Sequence, residues 1–144
     1  KGNSGFFFRS QQIPNDKTGI KGIQVEIDRQ PDCGGLYESS GRGWLSKPTE
    51  QFSKYDDWND MMVYTCGSAV MVWINNKLVV DCDTINPLHP EKLTEGEFLN
   101  NFAFQLHKRQ EVVVRFKDIE LMVPEYEDAD GKQLDMFIGC GLLN

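Results

Sequence analysis

Hydrophobic and polar positions alternate without a break over residues 23–28. Ile23, Val25 and Ile27 fall on one side of an extended chain, and Gln24, Glu26 and Asp28 on the other. The run predicts a β-strand with one apolar face and one face carrying two acids and an amide. That polar face is either a solvated outer surface or the floor of a polar site. A second segment, Phe104-Gln105-Leu106-His107, sets an amide and an imidazole in the same pattern and shifts the balance toward a site.

The same reading extends along the chain. Residues 3–10 predict a strand with Phe6 and Phe8 on one face and Phe7 and Arg9 on the other. Pro14, Asn15, Asp16 and Gly19 mark residues 11–22 as a polar loop. Residues 30–35 break the alternating strand, and a short strand resumes at 36–38. Residues 39–55, rich in Gly, Ser, Lys and Pro, read as one long loop of the kind that often carries function. A meander follows: Trp58–Cys66, Ala69–Ile74 and Lys77–Asp83, joined by turns at Gly67-Ser68 and Asn75-Asn76. Pro87, Pro90 and Gly96 place a loop at 84–97. Strands are expected at 98–106 and 111–123, the second ended by Pro124. An acidic stretch at 125–133 then leads to a last apolar segment at 134–143. No helix of ordinary length is predicted, and many short strands at regular turn spacing mean a β-sandwich or barrel.

The chain has 144 residues, enough for one domain with a real core, and 40% of them are hydrophobic. A net charge of −7 argues against nucleic acid and against an anionic membrane surface as partners. No apolar run approaches the roughly 20 residues of a membrane span. Because the sequence starts at Lys1 rather than Met, a processed, truncated or partial chain is expected. Four cysteines without a C-x-x-C spacing suit neither a disulfide scaffold nor a zinc ribbon. Pairing about the two meander turns sets both Cys66 and Cys82 opposite Ala69, on strands two apart. Twice the ~4.8 Å strand spacing exceeds the ~7 Å Cα limit of a disulfide, so these two are expected to be unbonded.

There is no nucleophile elbow, no phosphate-cradling glycine loop and no H-E-x-x-H. His89, between Leu88 and Pro90, reads as an exposed loop residue, whereas His107 is in phase with Gln105. Glu26 and Asp28 stand roughly 7 Å apart along one strand face, near enough to hold one cation or bracket one sugar. Their oxygens suit Ca²⁺ or Mg²⁺, and His107 would widen the choice to Mn²⁺ or Zn²⁺. Tyr37, Trp44 and Tyr55 flank or lie in the long loop, where flat rings can stack on pyranose faces. Trp73, alternating with Val72 and Ile74, reads as packing. The acids at Asp56-Asp57 and in 125–130 read as solvated turns.

The order of segments carries a resemblance. Asn3-Ser4-Gly5-Phe6-Phe7-Phe8-Arg9 resembles an NSGIFFR strand, and the strand from Gly22 to Ile27 resembles GYEVQI. Gly34-Gly35-Leu36-Tyr37 resembles TGALY, Trp58-Asn59 a WN strand start, and the run from Val72 to Lys77 resembles HWLNGK. Phe104-Gln105-Leu106-His107 is similar to IGLQDH, and the run from Val114 to Ile119 to VWFRNI. In this order, over roughly residues 2–121, the motifs resemble the 3-keto-disaccharide hydrolases (DUF1080).

The resemblance implies an all-β, concanavalin A-like jelly-roll β-sandwich. One domain spans 1–144, with a family-like core at 2–121 and a C-terminal extension at 124–144. The strands that usually precede the NSG segment are absent, so the sandwich would expose an edge or be completed by another polypeptide. Residues 136–143 would fill a vacant sheet position. The implied chemistry acts on glycosides already oxidised at C3: a base removes the C2 proton, the C1–O bond eliminates, and water adds across the enone. Glu26 and His107 are the candidates for base or metal ligand, with a divalent ion as the implied cofactor. Arg9, Gln24, Asp28, Gln105 and Lys117 would contact substrate hydroxyls, Tyr37 would stack or act as an acid, and Trp44 would stack. Glu26 stands where the family more often has Gln, Lys117-Asp118 replaces Arg-Asn, and Lys108 follows His107 where a glycine is usual. A periplasmic or secreted location is expected from the resemblance. Two other readings compete with the enzyme: a non-catalytic, lectin-like carbohydrate-binding module, and a structural subunit of a larger assembly. A fold by itself does not choose among them.

Overall fold

The structure, a computed structural model, describes residues 2–29, 31–84, 101–107, 110–122 and 137–143, the last by its backbone. Ten strands build two antiparallel five-stranded sheets, and no helix occurs among the described residues. The first sheet holds β1 (Ser4–Gln12), β2 (Ile20–Ile27), β3 (Leu36–Ser39), β4 (Gly43–Ser46) and β8 (Asn101–Phe104), in the order β4-β3-β2-β1-β8. The second holds β5 (Trp58–Cys66), β6 (Ala69–Ile74), β7 (Lys77–Asp83), β9 (Arg115–Met122) and β10 (Phe137–Leu143), in the order β7-β6-β5-β10-β9. This is the jelly-roll kind of β-sandwich expected from the sequence.

The alternation of β2 sets the layers. Ile23, Val25 and Ile27 point inward, where they join Phe6, Phe8 and Leu36 from their own sheet. Met61, Val63, Val70, Val72 and Ile74 meet them from the other sheet. Val63, Val70 and Val72 are fully buried. Each such side chain removed from water contributes about 1.5–3 kcal/mol, which is what holds the two sheets together.

The meander forms with the expected strand limits, and Asn75 and Asn76 take φ of 51° and 62°, the left-handed values a two-residue hairpin turn requires. Its third strand departs from simple pairing. A bulge follows the Trp73–Leu78 pair, so Val72 faces Val80 and Cys82 faces Val70 rather than Ala69. The extra residue lets Val79 and Val80 both enter the core. The expected partner of Cys82 is thereby corrected by one position, while Cys66 and Cys82 are free thiols as expected. The side chain of Cys140 lies outside the described residues.

Two further expectations are corrected. The long loop at 39–55 contains a strand, β4, pairing with β3 as Tyr37↔Trp44 and Glu38↔Gly43. Residues 111–114 are not strand; β9 begins at Arg115. The C-terminal segment does occupy a sheet position: β10 lies between β5 and β9, pairing with both. His89 and the acidic stretch at 125–130 lie outside the described residues. So do nearly all of the loop expected at 84–97 and the turn residues Lys108 and Arg109.

Among the described residues, one flank of the sandwich is open. β8 and β9 are the sheet edges there, and the rings of Phe104 and Phe116 meet across the gap at 4.1 Å between centroids. Leu106, Val113, Leu121 and Met122 on this flank are all more than half exposed.

Candidate functional site

The outward face of the first sheet carries the site. Cross-strand neighbours share a face, so the pairs Gly5↔Glu26, Phe7↔Gln24 and Gln24↔Tyr37 set these residues together on the side opposite the core. The backbone of Glu26 is held at both hydrogen-bonding groups. Its N–H donates to the carbonyl of Gly35 at 2.9 Å, and its carbonyl accepts from the N–H of Gly34 at 2.8 Å. Gln105 is tied to β1 from the other side: its N–H donates to the carbonyl of Gly5 at 2.8 Å, and its carbonyl accepts from the Ser4 hydroxyl at 2.7 Å.

These residues floor a cavity of about 340 Å³. That is at the small end of the roughly 300–1,000 Å³ typical of ligand sites. Its lining brings together Gln24, Glu26, Asp28, Tyr37, Trp44, Gln105 and His107, seven of the nine residues to which the resemblance gave a role. Tyr37 and Trp44 meet edge to face, with ring centroids 5.5 Å apart and planes at 84°, and form an aromatic wall.

Arg9 and Lys117 are not brought to this cavity. A bulge in β1 sets Arg9 and Ser10 opposite Gly22 and gives Arg9 a φ of 46°. Its guanidinium Nη2 donates to the carbonyl of Gly67, in the turn between β5 and β6, at 2.5 Å. Gly22, at φ +138°, permits the bulge, since a Cβ there would stand 2.6 Å from the Arg9 carbonyl oxygen. Lys117 is on β9, where its Nζ lies 4.6 Å from the centre of the Trp58 ring. Tyr55 also stands outside the cavity lining, half-exposed.

Glu26 is the electrostatic centre. It is 6% exposed, and its oxygens accept from the amide Nε2 of Gln24 and, at 3.1 Å, from Nδ2 of Asn3. Burial pushes its carboxyl up to about 7, the charges of Asp28 and Asp32 push the same way, and the two amide donors oppose them. A carboxyl at that value exchanges its proton near neutral pH, as a general base or acid must. Asn3, Asp32 and Ser39 also line the cavity and were missed in the sequence. Asn3 had a signal, since it opens the NSG motif. Asp32 lies in a turn whose approach to β2 only the fold reveals, and its carboxylate takes the Lys47 ammonium at 3.0 Å.

Two acceptors on the floor are left without partners. Oε1 of Gln24 and Oε1 of Gln105 are buried and accept no hydrogen bond from the described residues. The Gln24 amide lies over Gly5, where a Cβ would stand 2.8 Å from Oε1. Glycine at position 5 is therefore set by the site, since its φ does not lie in the left-handed region.

As for a divalent ion, Glu26 and His107 share the cavity, but no three of His, Cys, Asp or Glu converge on one point among the described residues. Both carboxylate oxygens of Glu26 are already engaged by amide donors. Among the described residues these groups do not form a ready cation cage.

The site is a polar, aromatic-walled cavity on the outer face of a β-sandwich, and the family match makes this a carbohydrate-related domain. The family model of the 3-keto-alpha-glucoside-1,2-lyase-like domain matches residues 1–122, and the chain belongs to that family. Comparison with curated proteins gives no match. No helix among the described residues is long and apolar enough to cross a membrane.

Proposed function

We propose that the cavity binds a glycoside oxidised at C3 and that Glu26 is the base that opens it. The observation that carries this reading is a buried carboxyl, raised to about 7, on the floor of a sugar-sized cavity that also holds an imidazole. Ionised Glu26 takes the proton from C2, which the adjacent ketone acidifies. The electron pair forms the C1–C2 double bond as the C1–O bond breaks, and the leaving oxygen receives a proton. Water then adds across the enone to complete a net hydrolysis. His107 is the second proton carrier in this scheme, and Tyr37 and Trp44 hold the ring. Asp28, Gln24 and Gln105 orient hydroxyls, and a periplasmic or secreted location belongs to the same proposal.

The test is turnover of a 3-keto-glycoside by the wild-type chain and by Glu26→Gln and His107→Ala. The substitution at Glu26 is expected to cost at least about a hundredfold in kcat, the scale of a lost general base. Unchanged turnover in both variants would sink the assignment. Binding of the glycoside without turnover by the wild type would select the lectin-like reading instead.

A second reading has its own observation. Phe102, Phe104, Leu106, Val113, Ile119, Leu121 and Met122 are all exposed along β8, β9 and the segment before β9. Exposed apolar side chains along two sheet edges favour another polypeptide completing the sandwich. This role is compatible with the first.

A further inference from the structure

The two sheets differ in their outer faces. The first carries Gln24 and Glu26 outward, whereas the second carries apolar side chains. Along β5 and β6 the core takes Met61, Val63, Val70, Val72 and Ile74, so Met62, Tyr64, Met71 and Trp73 point the other way. They lie half-buried in two adjacent rows, Met62↔Trp73↔Leu78 and Tyr64↔Met71↔Asp81. Trp73, expected to pack, thus does so on an outer surface rather than in the core. On β10 the residue opposite Met62 is Gly139, so no side chain flanks Met62 there. An antiparallel sheet with one face in water ordinarily turns polar residues to it, and apolar rows on both faces belong to a sheet covered on both sides.

Charge on this face is arranged about Met62. At the β9 edge, Arg115 and Lys117 stand level with Trp58 and Asp60 of β5. At the β7 edge, Asp81 and Asp83 stand level with Tyr64 and Cys66. These basic and acidic residues are exposed. Asp60 and Glu120 share the face and belong to neither corner. The basic and acidic corners lie roughly 19 Å apart across the strands and roughly 20 Å apart along them, so the line joining them runs diagonally. Its midpoint falls at Met62, on the central strand of the sheet.

We propose that the outer face of the second sheet is a two-fold interface between two copies of this chain. An axis lying in the interface, passing Met62 at right angles to the diagonal, sets Met62 against Met62 of the second copy. The same axis lays each basic corner on the acidic corner of the other copy. The strands of the two sheets then cross at about 90°, one of the two angles at which sheets pack face to face. A two-fold interface must be complementary to itself. Opposite charges placed symmetrically about an apolar centre meet that condition, and a partner of another sequence would not require it. The cavity is on the outer face of the first sheet, so this interface leaves it clear.

The test is analytical ultracentrifugation of the wild-type chain and its variants from about 1 to 100 μM, a range that captures a weak dimer. The wild type is expected to reach twice the 16.5 kDa chain mass. Met62→Lys opposes two ammonium groups on the axis and should leave a monomer throughout. Asp81→Lys should raise the dimer dissociation constant at least about tenfold, because two symmetric contacts turn from attractive to repulsive. Adding Arg115→Asp to it exchanges the signs of the two corners and should bring the constant back to within about threefold of wild type. A wild type that stays monomeric overturns the inference. So does a dimer that survives both Met62→Lys and Asp81→Lys, since it would use another surface. A loss at Asp81→Lys that Arg115→Asp fails to restore overturns it as well. Should Met62→Lys cost the fold, Asp81→Lys and its double variant, both at exposed positions, still decide.

Discussion

Asn59 and Gln24 are both buried amides on strands of the same sandwich, 2% and 3% exposed, and they live in opposite ways. Asn59, at the start of β5, is saturated. Its Oδ1 accepts from the Lys54 N–H at 2.7 Å and from Asn75 Nδ2 at 2.8 Å, and its Nδ2 donates to the carbonyls of Lys54 and Asp57 at 2.9 and 3.0 Å. It stitches the approach to β5 to the hairpin turn after β6, and nothing about it awaits a ligand. Gln24 spends its donor on Glu26 and keeps its acceptor empty. A buried polar group that the fold does not satisfy is one that the fold alone does not explain. The difference separates a structural amide from a site amide without reference to what the protein acts on.

The largest expected effect tests the structural side. Asn59→Ala should destabilise the chain by about 3 kcal/mol in urea unfolding, because it removes four part-buried hydrogen bonds at once. Gln24→Leu should cost under about 1 kcal/mol, since it also removes an unmet acceptor. A cost at Gln24 as large as at Asn59 would break the contrast.

Next comes pH. The carboxyl of Glu26 is raised from 4.5 to about 7, so the folded chain holds a proton that the unfolded chain has already released between those values. Its contribution is therefore complete below pH 4.5 and is lost as pH rises to about 7. The change is on the order of 2 kcal/mol once solvent at the cavity mouth is allowed for. Glu26→Gln should remove this slope, measured by urea midpoints from pH 4 to 8. A wild-type chain that gains stability over the same interval would show that Glu26 is not buried as described.

Gly5→Ala is a smaller and sharper probe. The added methyl would press on Oε1 of Gln24 and disturb its bond to Glu26. The Glu26 carboxyl should then rise further, read by NMR titration, with stability falling by about 1 kcal/mol. An unmoved titration would show that Gln24 does not position Glu26.

The smallest effect is on the open flank. Leu121 is 53% exposed, so Leu121→Lys should change stability of the isolated chain by no more than about 0.5 kcal/mol. It should also lower binding of a hydrophobic dye. A large loss of stability would mean that the flank is already covered.

Much of this was legible in residue order. Ile23 to Ile27 declared both of its faces, because a strand's side chains alternate and only one face can join the core. The meander was legible to the residue, since Gly67 and the Asn75-Asn76 pair take positive φ at its turns. What escaped were the bulges. An extra residue opposite Gly22 turned Arg9 toward the Gly67 carbonyl in the β5–β6 turn, and one after Leu78 left Cys82 one position short of Ala69. A bulge leaves no period in the sequence, because it is decided by what packs on either side. Lys117 followed the same logic at larger scale: a motif match fixed its strand, and the topology put that strand in the second sheet.

The sequence by itself determined the strand pattern, the all-β class and the polar face on which Gln24 and Glu26 stand, because these follow from local alternation and turn chemistry. Only the tertiary structure decided that His107, Asp32 and Asn3 share a cavity with that face, that two amide oxygens there go unmet, and that burial lifts Glu26 to about 7. Those outcomes depend on segments distant along the chain closing over one another and excluding water. No local pattern carries that information.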